Sequence, residues 1–204
     1  SIPPVLPYNL LKLQSDAARK FGLNPDQVLA ITQNLRVTHK LITYNRSDCE
    51  YLSDEQHEDA PNILAAIAAT APVFSGVIAK ADPQRKGRVF NSAKVSAHHA
   101  IVPTEATADF SKLTKHEQQI YLLIARAYIA QFYPDMKCDV TSILTHCNGH
   151  DFATRAKVIT QLGWKQLYKN DAENEELQDD ENIVLADLRP LVANSRGQCL
   201  EALA

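Results

Sequence analysis

The chain reads as α+β: a mainly helical unit with a helix-turn-helix-like element over residues 1–136, then a β-hairpin-rich segment over residues 137–204. Three observations predict this. Apolar residues in the first two thirds recur at helical spacing behind recognisable N-caps. From Lys137 the composition shifts to β-formers arranged about Asn148-Gly149, a strong short-range hairpin signal. With 45% hydrophobic and 22% charged residues in a length of 204, the chain can bury an ordinary core and lacks the composition of disorder.

Asn9 is placed to cap a helix whose apolar positions are Leu10, Leu13, Ala17 and Phe21, with Gly22 as terminator. Asn24-Pro25 restarts the chain, proline suiting a first helical turn, and Val28, Leu29, Ile31 and Leu35 form the next apolar stripe. Two short helices about a glycine resemble a helix-turn-helix, a common packing unit as well as a DNA reader. Residues 41–44 are apolar and β-branched, hence extended. Ser53 with Gln56 has the capping-box spacing, and an alanine-rich helix follows Pro61. Residues 80–94 hold Lys80, Arg85, Lys86, Arg88 and Lys94 against Asp82 alone, the one basic stretch, suited either to following a DNA backbone or to plain solvation. Thr114 and Glu117 open a long helix through Ile120, Leu123, Ile124, Ala127 and Phe132 that stops before Pro134. Cys138 to Cys147 and Phe152 to Leu162 are the expected hairpin strands, closed by Gly163-Trp164 with the indole packed across them. Residues 171–181 are acidic and read as a solvated loop, and residues 183–191 as one more strand.

The net charge of -3 is no polycation signature of a duplex binder, although a single-strand groove needs only local positive charge and stacking surfaces. Cys49, Cys138, Cys147 and Cys199 are widely spaced, which fits a reduced, cytoplasmic setting better than a disulfide framework. No apolar run approaches the roughly 20 residues needed to span a bilayer. Cys138, His146, Cys147 and His150 flank the hairpin turn at spacings that match no usual zinc arrangement, so no metal site is expected.

The chemistry-bearing stretch begins at His39 and runs Lys40-Leu41-Ile42-Thr43-Tyr44-Asn45-Arg46-Ser47-Asp48-Cys49-Glu50-Tyr51-Leu52. A phenol is a poor nucleophile at neutral pH, its ordinary pKa being about 10, yet its oxygen can attack phosphorus and later leave. A guanidinium two residues away can take up charge on phosphate oxygens. The pattern Y-x-R alone proves little. The whole run, however, resembles the active-site motif of type IA DNA topoisomerases, most closely the topoisomerase III branch. Leu6-Pro7-Tyr8-Asn9-Leu10 resembles that family's entry into its tyrosine-bearing domain, and Ala97-His98-His99-Ala100-Ile101-Val102-Pro103-Thr104 is similar to its A-H-x-A-I-x-P-T element. Leu123, Arg126, Phe132-Tyr133-Pro134 and Gly163-Trp164 continue the match in order.

The resemblance implies that Tyr44 is the nucleophile, forming a 5′-phosphotyrosyl link and releasing a 3′-hydroxyl. It implies that Arg46 contacts the scissile phosphate, as a catalytic and DNA-binding residue, and that His98 hydrogen-bonds the phosphate or orients its neighbours. Asn45 and Cys49 depart from the residues commonest in the family, which bears on loop stiffness and leaves the nucleophile untouched. The family also uses an acidic cluster on a separate TOPRIM domain, with a glutamate for acid–base work and aspartates for Mg2+. No D-x-D pair stands here in a suitable strand context. The expectation is therefore a central piece of such an enzyme, inactive alone and without a cofactor of its own. Its partners would be single-stranded DNA and the remaining enzyme domains, with dimerisation through open β edges also plausible. Two other classes compete. A helix-turn-helix regulator would need a basic recognition helix, and residues 26–35 contain no lysine or arginine. In a docking module Tyr44 would be buried and unreactive.

Overall fold

The structure, a computed structural model, describes residues 1–147 and 150–168. Helix α1 (Leu10–Phe21) starts where the Asn9 side chain accepts the Lys12 N–H at 2.8 Å and ends at Gly22, whose φ of 68° is the left-handed conformation a terminator requires. Leu13 and Ala17 face inward from it. Helix α2 (Pro25–Val37) opens with a full capping box, Asn24 and Gln27 each taking the other's backbone N–H at 2.9 Å, and buries Val28, Thr32 and Leu35.

Helix α3 (Ala60–Thr70) carries Pro61 in its first turn and is followed by the short α4 (Ser75–Ile78). Only half of the expected box forms before α3. The Gln56 side chain accepts the Ser53 N–H at 2.9 Å, but this nucleates a 3-10 turn at Glu55–His57 instead of the helix itself. Helix α5 (Lys115–Ile129) has the complete Thr114–Glu117 box and runs through the centre, burying Ile120, Tyr121, Leu123, Ile124, Ala127 and Tyr128. A 3-10 turn at Ala130–Phe132 ends it before Pro134.

Between the helices the chain is extended without forming a regular sheet. Isolated bridges pair Tyr8 with Ile101, Ile42 with Pro103, and Leu52 with Phe90. Backbone bonds from Thr43 N to Val102 O (3.0 Å), Ala100 N to Tyr51 O (2.8 Å) and Leu10 N to Ser47 O (2.9 Å) knit residues 41–52 into this layer. Leu41, Ile42 and Leu52 sink into the core beneath it.

Strands β1 (Lys137–Cys147) and β2 (His150–Gln161) form an antiparallel ribbon in register from Cys138–Ile159 to Cys147–His150, with one irregularity at Lys137/Cys138. Val140, Leu144 and Val158 are exposed on it, and among its residues whose side chains are described none belongs to the hydrophobic core. The chain then returns to the point it left. Gly163 has a φ of 53°, and its ideal Cβ position lies 2.3 Å from the Pro134 carbonyl oxygen. Trp164 corrects the sequence expectation. Its indole does not lie across the strands but joins the helical core, its Nε1–H donating to Ile2 O at 3.0 Å and its backbone N–H to Pro134 O at 2.9 Å. A large apolar ring goes where a core already exists, and a lone two-stranded ribbon offers none. The acidic stretch 171–181 and the strand expected at 183–191 lie outside the described residues. No single helix among the described residues is long and apolar enough to cross a membrane.

Candidate functional site around Tyr44

Residues 44–49 alternate strictly in exposure. Asn45, Ser47 and Cys49 are 0%, 1% and 8% exposed, whereas Tyr44 is half-buried and Arg46 and Asp48 are exposed. The chain turns at Asn45–Arg46, so that Asn45 is buried while Tyr44 before it and Arg46 after it both reach solvent. The inward residues are the anchors. Asn45 Nδ2 donates to Thr32 Oγ1 on α2 at 3.1 Å, and Ser47 Oγ accepts the Cys49 N–H at 3.1 Å. The Cys49 thiol lies 3.4 Å from Lys94 O. These ties explain the residues that depart from the family's commonest ones. Asn45 fastens the loop to α2 by a side-chain bond.

The segment leaving α2 is fixed just as locally. Lys40 takes a left-handed φ of 58°, and its carbonyl accepts the Thr104 hydroxyl at 2.6 Å. Thr43 Oγ1 donates to Ala100 O and accepts the Val102 N–H, both at 3.1 Å, so the loop bearing His98 and the loop bearing Tyr44 are stitched together. Below them Glu117, 4% exposed, accepts from Thr114 N and from the Asn34 side chain, and His39 Nε2 lies 3.5 Å from its carboxylate. Burial alone would raise its pKa, but the bonds from Thr114 and Asn34 and the nearby His39 outweigh that and hold it below the usual value.

The structure brings two of the three sequence-predicted site residues, Tyr44 and His98, into contact, and Arg46 stands exposed two positions on in the same loop. The Tyr44 and His98 rings have centroids 4.2 Å apart, tilted by 41°. His98 is exposed, while its neighbour His99 is turned to the Ala100 carbonyl at 2.9 Å. Arg46 makes no hydrogen bond or ion pair with any described residue. The two carboxylates that could have neutralised it are committed elsewhere, Asp48 to the Ser96 hydroxyl at 3.2 Å and Glu50 to Lys12 at 3.2 Å. The Tyr44 hydroxyl likewise has no hydrogen bond to a described residue. A half-exposed phenol with an unpaired cation beside it can receive an anion.

Sequence reasoning missed a fourth residue. Arg36, in the last turn of α2, holds its guanidinium carbon 4.7 Å from the Tyr44 ring centroid. No motif marks it, and only the folding of α2 against the loop brings it there. The basic loop, by contrast, is largely spent on structure. Arg85 pairs with Asp135 at 3.2 Å and Lys86 with Asp54 at 2.6 Å. Arg88 donates to Pro4 O at 3.0 Å, and Lys94 lies 4.8 Å from the Tyr51 ring centroid. Among the described residues no group of His, Cys, Asp or Glu could hold a metal ion. The side chains around Tyr44 are cationic or imidazole, a donor set unsuited to Mg2+.

A half-exposed tyrosine, an arginine two residues on with no described partner and a histidine ring tilted against the phenol stand together in an α+β frame. A family model for DNA topoisomerase matches residues 1–194, and the chain belongs to the type IA DNA topoisomerase family. Within it, the DNA topoisomerase 3 of Vibrio cholerae is 40% identical over 174 residues, 85% of this chain and 27% of that protein. That of Haemophilus influenzae is 40% identical, covering 84% of this chain and 26% of its own, and that of Staphylococcus saprophyticus 38%, covering 80% and 23%. The chain thus spans about a quarter of the length of these relatives. Full-length topoisomerase I from Thermotoga maritima shares the fold, with a TM-score of 0.56 at 23% identity over 82% of this chain and 27% of that one.

Proposed function

We propose that the chain supplies the nucleophile of a topoisomerase III-type enzyme, acting on single-stranded DNA in the bacterial cytoplasm. Tyr44 Oη attacks a backbone phosphorus. An O–P bond forms to the 5′-side phosphate, the bond from phosphorus to the 3′-oxygen breaks, and that oxygen leaves as a hydroxyl. The phenol gives up one proton and the leaving oxygen gains one, so the step is proton-neutral, and the phosphotyrosyl ester keeps the energy needed for resealing. Arg46 engages the phosphate oxygens as charge builds on them, and His98 donates a hydrogen bond or holds the phenol in place. The observation that carries this reading is the contact of the Tyr44 and His98 rings, on a loop whose Arg46 is exposed and has no partner among the described residues.

The chain's described residues do not fit the family's Mg2+, so the metal and the group that protonates the leaving oxygen belong to a TOPRIM domain, with which this chain would act. Alone, it neither relaxes supercoiled plasmid nor accumulates adduct. Mixed with a separately made TOPRIM-containing piece and a single-stranded oligonucleotide, it should give a covalent adduct that Tyr44→Phe abolishes. An adduct that survives Tyr44→Phe, or plasmid relaxation by the chain alone, would refute the assignment. The open edges of the β1–β2 ribbon also allow a second copy to pair. A clean monomer in sedimentation at high concentration excludes this.

A further inference from the structure

We infer that Arg36 is a second phosphate-binding cation of the site, presented beside Tyr44 from the end of α2, so that a backbone phosphate at the phenol meets two guanidinium groups. The inference rests on the reading that this face receives DNA. An arginine in the last turn of a helix has an ordinary explanation, since positive charge is favourable there and its N–H groups can bond the terminal carbonyls. Arg36 does not take that option. No described residue accepts a hydrogen bond from it, and its one recorded contact is with the face of the Tyr44 ring at 4.7 Å. It is half-buried, and none of its nitrogens is among the buried atoms lacking a partner. Its N–H groups are therefore open to solvent at the rim of the site.

A cation over a ring face is held by the ring's π electrons and need not spend its N–H donors there. Placed in this way, Arg36 packs on the phenol and still has a donor fork that matches phosphate oxygens. The placement is well supported. Asn34 and His39, which flank Arg36 in sequence, are both held by Glu117 of α5, and Asn45 ties the Tyr44 loop to Thr32 one turn back on α2. Arg36 and Tyr44 thus share one rigid support, while Arg46 approaches from the loop itself.

The test uses the chain as it stands and a short fluorescein-labelled single-stranded oligonucleotide, with affinity measured over a salt series. Each phosphate contact to single-stranded DNA contributes about 0.7 to the slope of log K against log salt. Arg36→Gln and Arg36→Met should each lower the slope by about 0.7 and weaken binding at low salt by roughly 10-fold. Arg36→Lys, keeping the charge without the fork, should retain the slope. Arg46→Gln reports separately on the parent reading. If it lowers the slope while Arg36→Gln and Arg36→Met do not, Arg36 only packs against the ring and the inference is overturned with the reading intact. If neither position alters the slope, or no binding is measurable at low salt, both are overturned. Loss of slope in Arg36→Lys as well would also overturn it, since that pattern marks a disturbed fold and not a missing charge.

Discussion

Replacing Glu117 should unfasten the floor of the site and destabilise the whole helical unit. In Glu117→Ala the Thr114 N–H loses the acceptor that completes the α5 capping box, a loss of about 1 kcal/mol. His39 and Asn34 lose a nearly buried anionic acceptor, for which about 1–2 kcal/mol is reasonable because the exposed Asn34 amide can turn to water. The sum is about 2–3 kcal/mol, measurable by urea denaturation followed through Trp164, the only tryptophan, which is buried in the same core. The pH dependence has a definite sign. Glu117 is held below its ordinary pKa in the folded state, so in that window the unfolded chain binds more protons. Its contribution is present above the unfolded value of about 4.3 and is lost as pH falls through the lower folded value. Glu117→Gln removes this term, so the stability gap between wild type and Glu117→Gln should narrow on acidification. A Glu117→Ala variant within about 0.5 kcal/mol of wild type, or a gap independent of pH, would refute the reasoning.

Thr32→Val removes the hydroxyl that accepts from Asn45 and strands a buried amide whose Oδ1 is already unpartnered, so it should cost about 1–3 kcal/mol in urea melts. The same variant should lower Tyr44-dependent adduct yield in the mixed assay without touching DNA. Gly163→Ala combines a left-handed φ of 53° with a Cβ 2.3 Å from the Pro134 carbonyl oxygen; a loss of about 3 kcal/mol or more, with red-shifted Trp164 fluorescence, is expected. At alkaline pH, burial pushes Tyr121 up to about 12 and holds Tyr8 and Tyr128 well above the usual phenol range. Since the unfolded chain releases these protons from about pH 10, stability should fall as pH rises above that. Titration at 295 nm should then show these groups silent until the protein unfolds.

What was legible in the sequence was local. Asn9 and Thr114 bond donors three residues ahead, so their caps are written in neighbouring letters and formed where expected. The exposure of Tyr44 and Arg46 about the buried Asn45 is local too, set by the turn at Asn45–Arg46. What failed depended on partners far along the chain. The basic stretch, suited by sequence to a DNA backbone or to plain solvation, gains ion pairs that the sequence does not show, because Asp135 for Arg85 and Asp54 for Lys86 arrive only on folding. Trp164 was assigned to the nearest strands, whereas its acceptor is Ile2 at the opposite end of the described chain. Arg36 was invisible for the same reason. It stands one position beyond residues 26–35, which hold no lysine or arginine.

The division of labour within residues 44–49 bears on how such a site can tolerate cleavage. A nucleophile that becomes bonded to DNA must hold its position while a strand pulls on it, yet it must not be buried. On the role proposed for Tyr44 the load would pass inward, through Asn45 to α2, through Ser47 and Cys49 to the loop itself and to Lys94, and through Thr43 to the His98 loop. None of these ties uses an outward-facing side chain, so tightening the support does not consume the groups proposed to meet the phosphate. The same logic accounts for Arg46. Asp48 and Glu50 stand close enough in sequence to pair with it, and each is drawn off by another residue, Ser96 and Lys12. A surface ion pair would have added at most about 1 kcal/mol to stability, while leaving the cation committed before a phosphate arrived.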